Sequence, residues 1–499
     1  MMNIPAFIWL IGLLLLAAPL IYFSGRLFPK QERFLPQVLT LIAFAASWFA
    51  FVQAVLDFQR NGTSDYMIGT VALQMDGLAL LLAGVGLLLG TLVTLYSWAY
   101  MAPEDEGVEK FFAMLAAMVA VIIGLGCATD IFNLWMWFEA MAVTSYLLVA
   151  FYRNQPHSLE AGLKYLVQSA VGSMLVLLGI SMLFAQTGTV VIAEIKTAVV
   201  PQMVLLGAAV LLVVGFGVKS ALVPMHTWLP DAHSQAPSGI SAMLSGVVIE
   251  AGLVAMLRSL SAVAGVSQSW ALLLLGFAAI NMLVGNLMAL RQTQVKRLLA
   301  YSSLAHMGYI LLGIGIAVYS GQVNGAEGSL FHLFNHGVMK GLAFLSAGAL
   351  LYTLHVVSGS HAPLTVTDLN GAARKYPLLG ITFSLALLGL GGIPPLAGFL
   401  SKWQIFLAGF ETGSLGIELL VVFAALNSVL SLAYYAPLIN AMYRLKPSDS
   451  VQAGKSVPFS MSLPLVLLAA ATVVVGFWPG LLHWLTAPAG NALLQILGK

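Results

Sequence analysis

Long runs of Leu, Val, Ala, Ile, Phe and Met, separated by short polar segments, recur from one end of the chain to the other. A helix rises about 1.5 Å per residue and the hydrocarbon core of a bilayer is about 30 Å thick, so roughly 20 apolar residues make one crossing. Fourteen runs of that kind are present, centred near Leu14, Ala45, Leu89, Val121, Tyr146, Leu175, Val213, Val254, Phe277, Leu311, Phe344, Leu387, Ala425 and Ala470. Lipid offers the backbone no hydrogen-bond partner, and none of the runs alternates as a barrel strand would, so each predicts a helix. The expected fold is all-α: a polytopic membrane protein of about fourteen transmembrane helices and no strands.

The polar segments set the expected orientation. Met1 to Phe7 carries no cation, while Arg26 and Lys30 follow the first run, so that run reads as an uncleaved helix rather than a signal peptide. Loops after odd-numbered spans hold Arg26, Lys30, Arg33, Lys110, Arg153, Arg291, Lys296, Arg297, Arg374, Lys375, Arg444, Lys446 and Lys455. The opposite loops and the C-terminus hold only Arg60, Lys196, Arg258 and Lys499. Cations concentrate on the inner face, which places both termini on the outer, periplasmic side of a cell membrane.

Composition removes several function classes. Of 499 residues 60% are hydrophobic and 8% charged, against about a quarter charged in soluble chains. A net charge of +2 with no basic stripe argues against nucleic acid. The single cysteine, Cys127, cannot form an internal disulfide, a four-thiolate iron-sulfur site or a Cys-x-x-Cys pair. The GKS at Gly454 to Ser456 has Asp449 where a phosphate-binding loop needs its first glycine, and no dinucleotide fingerprint is present. No catalytic group and no cofactor site are assigned to this chain.

Six charged residues stand within or at the edge of apolar runs: Glu139, Lys164, Lys219, Glu250, Lys340 and Lys402. An unpaired ion at the bilayer centre costs at least about 2.5 to 3.5 kcal/mol, so each must face protein or water. A polar interior follows. Lys164 and Lys340 have a second reading, as end-of-helix residues whose long stems carry the ammonium to the interface. His332, His336 and Lys340 are spaced by four and share one helix face. Imidazole both accepts and donates protons near neutral pH, which suits a relay, and hydrogen bonding within the bundle is the plainer alternative. A metal site on His332 and His336 is disfavoured because no carboxylate or thiolate falls at a matching spacing.

Two runs are interrupted. In the seventh, VGFGVKSALVPMHTWLPDAH, Pro224 follows Lys219, and in the twelfth, LLGLGGIPPLAGFLSKWQIF, Pro394 and Pro395 precede Lys402. Broken helices at corresponding places point to an ion site built from inverted repeats, since freed backbone groups must face a cavity. The expected organisation is helices 1–3 over 1–110, a five-helix repeat over 111–262, a second over 263–446, and helix 14 over 447–499. Simple helix packing is the other explanation of such breaks.

At this point the residues resemble a known family. LWMWFEAMAVTSYLLVAF, KSALVPMHTWLPDAHSQAPSGISAMLSG, VKRLLAYSSLAHMGYILLGIG, LFHLFNHGVMKG and GIPPLAGFLSKW are similar to segments of the antiporter-like subunits of respiratory complex I and of Mrp cation/proton antiporters. The likeness runs in order from about Asp130 to Tyr443. It implies that Glu139 and Lys219 are the family's fifth-helix glutamate and its seventh-helix lysine partner. It also implies that His332, His336 and Lys340 are the polar groups of the eleventh helix, and that Lys402 is the lysine facing the outer exit. Glu250 departs from the pattern, standing where the family usually has the central lysine of the eighth helix. Either a carboxylate takes over that step with help from His306 or the eleventh-helix histidines, or this subunit handles its ion differently. Lys402 likewise differs from members with a glutamate on the twelfth helix.

The function this implies is proton translocation through a buried Glu/Lys/His relay in a non-redox subunit of an NADH-quinone oxidoreductase. FMN, iron-sulfur clusters and quinone are expected in partner subunits, reached through neighbouring membrane subunits of similar kind. Two alternatives remain at this stage: a subunit of a multisubunit Na+/H+ antiporter, and a bridging subunit without transport.

Overall fold

The computed structural model describes residues 4–28, 34–104, 107–263, 267–360, 362–444 and 446–498. Met1, Lys30, Arg33 and Lys499, which enter the orientation argument, lie outside the described residues. The first third holds α1 (Ala6–Leu27), α2 (Phe34–Asn61), α3 (Gly77–Tyr100), α4 (Val108–Cys127), α5 (Ile131–Val149) and α6 (Pro156–Thr187). A short α7 (Ile192–Thr197) leads to α8 (Gln202–Lys219), followed after a break by α9 (Trp228–Gln235). Then come α10 (Ser238–Met243), α11 (Ile249–Ser261), α12 (Ser267–Ala289), α13 (Val295–Ser320) and α14 (Val323–Leu354). The last third holds α15 (Ala372–Lys375), α16 (Pro377–Gly391), α17 (Ala397–Phe410), α18 (Leu415–Arg444), α19 (Asp449–Ala453), α20 (Phe459–Phe477) and α21 (His483–Ile496).

Among the described residues twelve helices are long and apolar enough to cross a membrane. The two other apolar centres fall on α5, whose 19 residues include Glu139, and on the broken pair α16 and α17. The expectation of no strands is corrected by an antiparallel hairpin, Ser64–Ile68 with Val71–Met75. Its two-residue turn opens on Gly69 at φ 62°, a left-handed conformation that glycine takes without steric cost. Ten residues of this kind are too few to stand out beside 20-residue apolar runs. Beyond α20 the C-terminal segment adds α21, which packs on α3 and α14.

Burial sorts the helices into an inner and an outer set. The continuous helix Ser238–Ser261 and α13 and α14 are buried along nearly their whole length, whereas α1, α2 and α18 turn most of their apolar surface outward. Leu16, Phe49 and Leu426 belong to that outward surface, and Met174 on α6 and Phe459 on α20 are likewise exposed, which suits lipid. The inner helices approach closely where glycines meet: a Cβ on Gly337 would lie 2.7 Å from the Gly246 carbonyl oxygen. Gly246 belongs to a π-helical turn, Leu244–Val248, that joins α10 to α11 and immediately precedes Ile249 and Glu250. An inserted residue of this sort re-aims the side chains that follow it, and here it stands beside a buried carboxylate.

Two cations assigned to loops lie in the core instead. Arg258 is 5% exposed and donates from one Nη to both oxygens of Asp76 at 2.8 Å. Asp76 also caps α3 by accepting from the Ala79 N–H at 2.8 Å. Lys296 is 5% exposed in the first turn of α13 and donates to the Ala236 carbonyl at 2.5 Å. Both stand at helix ends, where sequence alone reads a loop, and both are retained by acceptors far away in the chain.

Candidate functional site

The first break begins where α8 stops at Lys219. Leu222 N–H bonds back to the Gly217 carbonyl at 2.9 Å around Ala221, which adopts a left-handed φ of 53°. The Val218 carbonyl takes the Trp228 indole N–H at 2.7 Å, and Asn281 of α12 clamps the turn by accepting from Val223 N–H at 3.0 Å. Lys219 is fully buried, and its ammonium has no hydrogen-bond partner. It lies 4.4 Å over the Tyr165 ring, which stacks on Trp228 at 3.9 Å. Glu139 Oε1 is likewise buried without a hydrogen bond. Among the described residues the two expected partners make no ion pair within 4.0 Å.

The centre lies between α11, α13 and α14. Gly252 packs α11 on the end of α8, where an added Cβ would come 3.1 Å from Lys219 Cβ. Two residues earlier Glu250, fully buried, places Oε1 2.7 Å from His336 Nδ1. The His336 ring lies 5.1 Å from that of His306, and His306 Nδ1 is 3.0 Å from His332 Nε2. His332 Nδ1 continues to Ser401 Oγ at 2.8 Å, beside Lys402. Lys340 donates to the Leu299 carbonyl at 2.8 Å and to Ser302 Oγ at 2.5 Å; Ser302 in turn meets the Tyr435 hydroxyl. Glu250, His306, His332, His336 and Lys340 are thus gathered around one helix, α14.

The second break closes α16. Ile393 N–H bonds to the Leu388 carbonyl at 3.1 Å and Gly392 N–H to that of Gly389 at 3.0 Å, around a left-handed Gly392 at φ 78°. Lys402 Nζ reaches back to the Leu390 carbonyl at 2.8 Å and to Ser428 Oγ at 2.9 Å, while Ser428 Oγ donates to the Gly391 carbonyl at 3.2 Å. All four carbonyls left over at the end of a helix are therefore met. The Lys402 ammonium also lies 4.5 Å over the Tyr309 ring. The bonds preceding Pro224 and Pro395 are both cis.

Lys164 stands apart from this axis. Its side chain is about half exposed and bonds Glu160 at 2.7 Å and Asp231 at 3.1 Å, with Arg297 on the other Asp231 oxygen. Sequence reasoning passed over His233, Lys296, Tyr165, Trp228, Asn281 and Ser428. His233 and Lys296 could have been flagged by their place in the segment after a break and at the start of a buried helix; the others have no distinguishing local signal. Among the described residues no group of three or more His, Cys, Asp or Glu side chains is gathered as a metal ion would require.

A bundle of apolar helices around a buried chain of acids, amines and imidazoles, flanked by two broken helices, defines an ion-translocating type of membrane subunit. The family described as NADH:quinone oxidoreductase/Mrp antiporter, TM, matches residues 128–431, and the complex I chain 5 N-terminus matches 64–112. The chain belongs to the family of antiporter-like subunits shared by complex I and Mrp antiporters. It is 32% identical over 457 residues to F(420)H(2) dehydrogenase subunit N of Methanosarcina mazei, covering 90% of this chain and 91% of that one. It is 30% identical over 491 residues to NADH-quinone oxidoreductase subunit N of Desulfitobacterium hafniense, covering 94% and 95%. A chain of respiratory complex I from Thermus thermophilus superposes with a TM-score of 0.74 at 27% identity, covering 94% of this chain and 98% of that one.

Proposed function

We propose that this chain is a proton-translocating, non-redox membrane subunit of a complex I type enzyme, in which Glu139, Lys219, Glu250, His306, His332, His336, Lys340 and Lys402 carry the proton. One observation carries the reading: buried titratable side chains lie between the first break and the second, with contacts of 2.7 Å between His336 and Glu250 and 3.0 Å between His306 and His332. The carboxylate at 250 is served by an imidazole, so the middle step does not need the lysine usual there. Lys219, parted from Glu139, holds an ammonium with no acceptor and is the group ready to give up its proton; closure of the pair would reload it. Moving one charge against about 150 mV takes roughly 3.5 kcal/mol, which desolvation of a lysine can match.

The energy source lies in partner subunits, where FMN, iron-sulfur clusters and quinone are expected; the relatives are named for an F(420)H(2) dehydrogenase and an NADH-quinone oxidoreductase. On this reading fourteen helices cross the membrane, both termini face outward, and 111–262 and 263–446 are inverted repeats. The like closure of α8 and α16 around a left-handed residue three positions before a proline supports the repeats. Purifying the chain with its native partners tests the assignment. Flavin and iron-sulfur absorbance with donor-driven proton uptake into proteoliposomes is expected; small membrane subunits alone, exchanging Na+ for H+, would make it an Mrp-type subunit instead.

A further inference from the structure

We propose that Lys296 and His233 form the intake gate of this relay, carrying protons from a polar cavity on one face of the molecule to Lys340. The inference rests on the proton-translocating reading above. A cavity of about 400 Å³ opens between Gln155, Lys164, Asp231, Gln294 and Arg297. It shares Gln155, Ser234, Gln235 and Gln294 with a narrower recess of about 50 Å³ whose lining includes Lys296, enough for about three waters. Gln155 and Gln294 come from the segments after α5 and α12, which the cation distribution assigns to the inner side.

From the recess inward the groups follow one another. Lys296 Nζ donates to the Ala236 carbonyl at the end of α9. Less than one turn earlier on α9 is His233, fully buried, with no hydrogen-bond partner at either ring nitrogen. A buried imidazole with no protein partner at either nitrogen calls for water, an ion or a functional role. Its ring stacks at 4.7 Å on Phe344, one turn along α14 from Lys340, and the charged groups around it are Lys296 and Lys340. Lys340 in turn is bonded to the Leu299 carbonyl, one turn beyond Lys296 on α13. His233 therefore lies between an amine in contact with the cavity and an amine of the relay.

The Lys296 ammonium gives its proton to one nitrogen of His233, and a proton from the inner aqueous phase, passed along the cavity water, restores the ammonium. The imidazolium releases the proton on its other nitrogen to a neutral Lys340 amine, which becomes an ammonium. The ring is left neutral in the opposite tautomer and resets by a half-turn of the ring, which brings the protonated nitrogen back toward Lys340.

The test uses the intact complex in proteoliposomes, driven by its own electron donor. His233→Ala is expected to lower proton pumping about tenfold or more, with recovery when imidazole is added on the cavity side; a packing role would not be rescued. Lys296→Met should lower pumping to a similar degree. Gln235→Cys should react with a membrane-impermeant maleimide from the face bearing Arg291, and the modification should slow pumping; the native Cys127 is buried and contributes little background. Undiminished pumping by assembled His233→Ala, with Lys219→Ala inactive, overturns the gate alone, whereas undiminished pumping by both overturns the relay as well. Loss that imidazole fails to restore assigns His233 to packing and overturns the gate. Should His233→Ala fail to assemble, the Gln235→Cys result decides: slowing by the reagent upholds the gate, and full pumping after complete modification refutes it.

Discussion

The two broken helices end on the same backbone turn, but they employ their lysines in opposite ways. At the end of α16 the Lys402 ammonium is itself the cap, bonded to the Leu390 carbonyl and to Ser428 where the helix dipole favours a cation. At the end of α8 the corresponding work is shared by Ser220, Leu222 and the Trp228 indole, and Asn281 holds the turn from outside. Lys219 is thereby released from structural duty. It keeps the face of Tyr165, far less than a desolvated ammonium needs. On the proposed function the first break holds the movable proton and the second a fixed receiver.

The most severe way to break this contrast is to remove the free lysine. Lys219→Ala should reduce donor-driven proton pumping about 100-fold while leaving the amount of assembled complex unchanged; pumping near the wild-type rate would make the chain a bridging subunit. The contrast is sharpened by a pair of nearly isosteric changes. Lys402→Met strips the Leu390 carbonyl of its donor and should destabilise the subunit by about 1 to 3 kcal/mol. Lys219→Met removes a buried charge that has no hydrogen bond to lose, so its thermal midpoint in detergent should equal or exceed that of the native protein. Equal destabilisation by the two changes would show that Lys219 also has a structural tether.

How much of this could be read from the chain depends on whether the signal is local. Glu139, Lys219, Glu250 and Lys402 declare themselves because a charge within an apolar run is costly wherever the run packs. The breaks declare themselves because proline removes a backbone donor. Which lysine is tied and which is free is decided by Ser428, Trp228, Tyr165 and Asn281, ordinary residues whose importance arises only when helices distant in sequence meet. Lys296 and Arg258 look like loop cations for the same reason: Ala236 and Asp76, which hold them in the core, are far off in the chain. The hairpin at 64–75 is short, and Lys164, inside an apolar run, reaches the surface because Glu160 and Asp231 meet it there.

The smallest expected effect concerns the left-handed residue of each turn. Gly392 is at φ 78°, and a Cβ there would lie 3.2 Å from Ser428 Oγ and 3.4 Å from Lys402 Cδ. Gly392→Ala should therefore cost about 1 to 2 kcal/mol from the backbone alone and press on the lysine tether besides. Ala221 already bears a Cβ at φ 53°. Ala221→Gly relieves that backbone cost but returns roughly 0.5 to 1 kcal/mol of chain entropy to the unfolded state, so the net change should be small. Thermal unfolding of the two variants in the same detergent measures the difference. A large loss on Ala221→Gly would mean that the Ala221 methyl helps to fix the turn at Lys219, and the first break would then be held as tightly as the second.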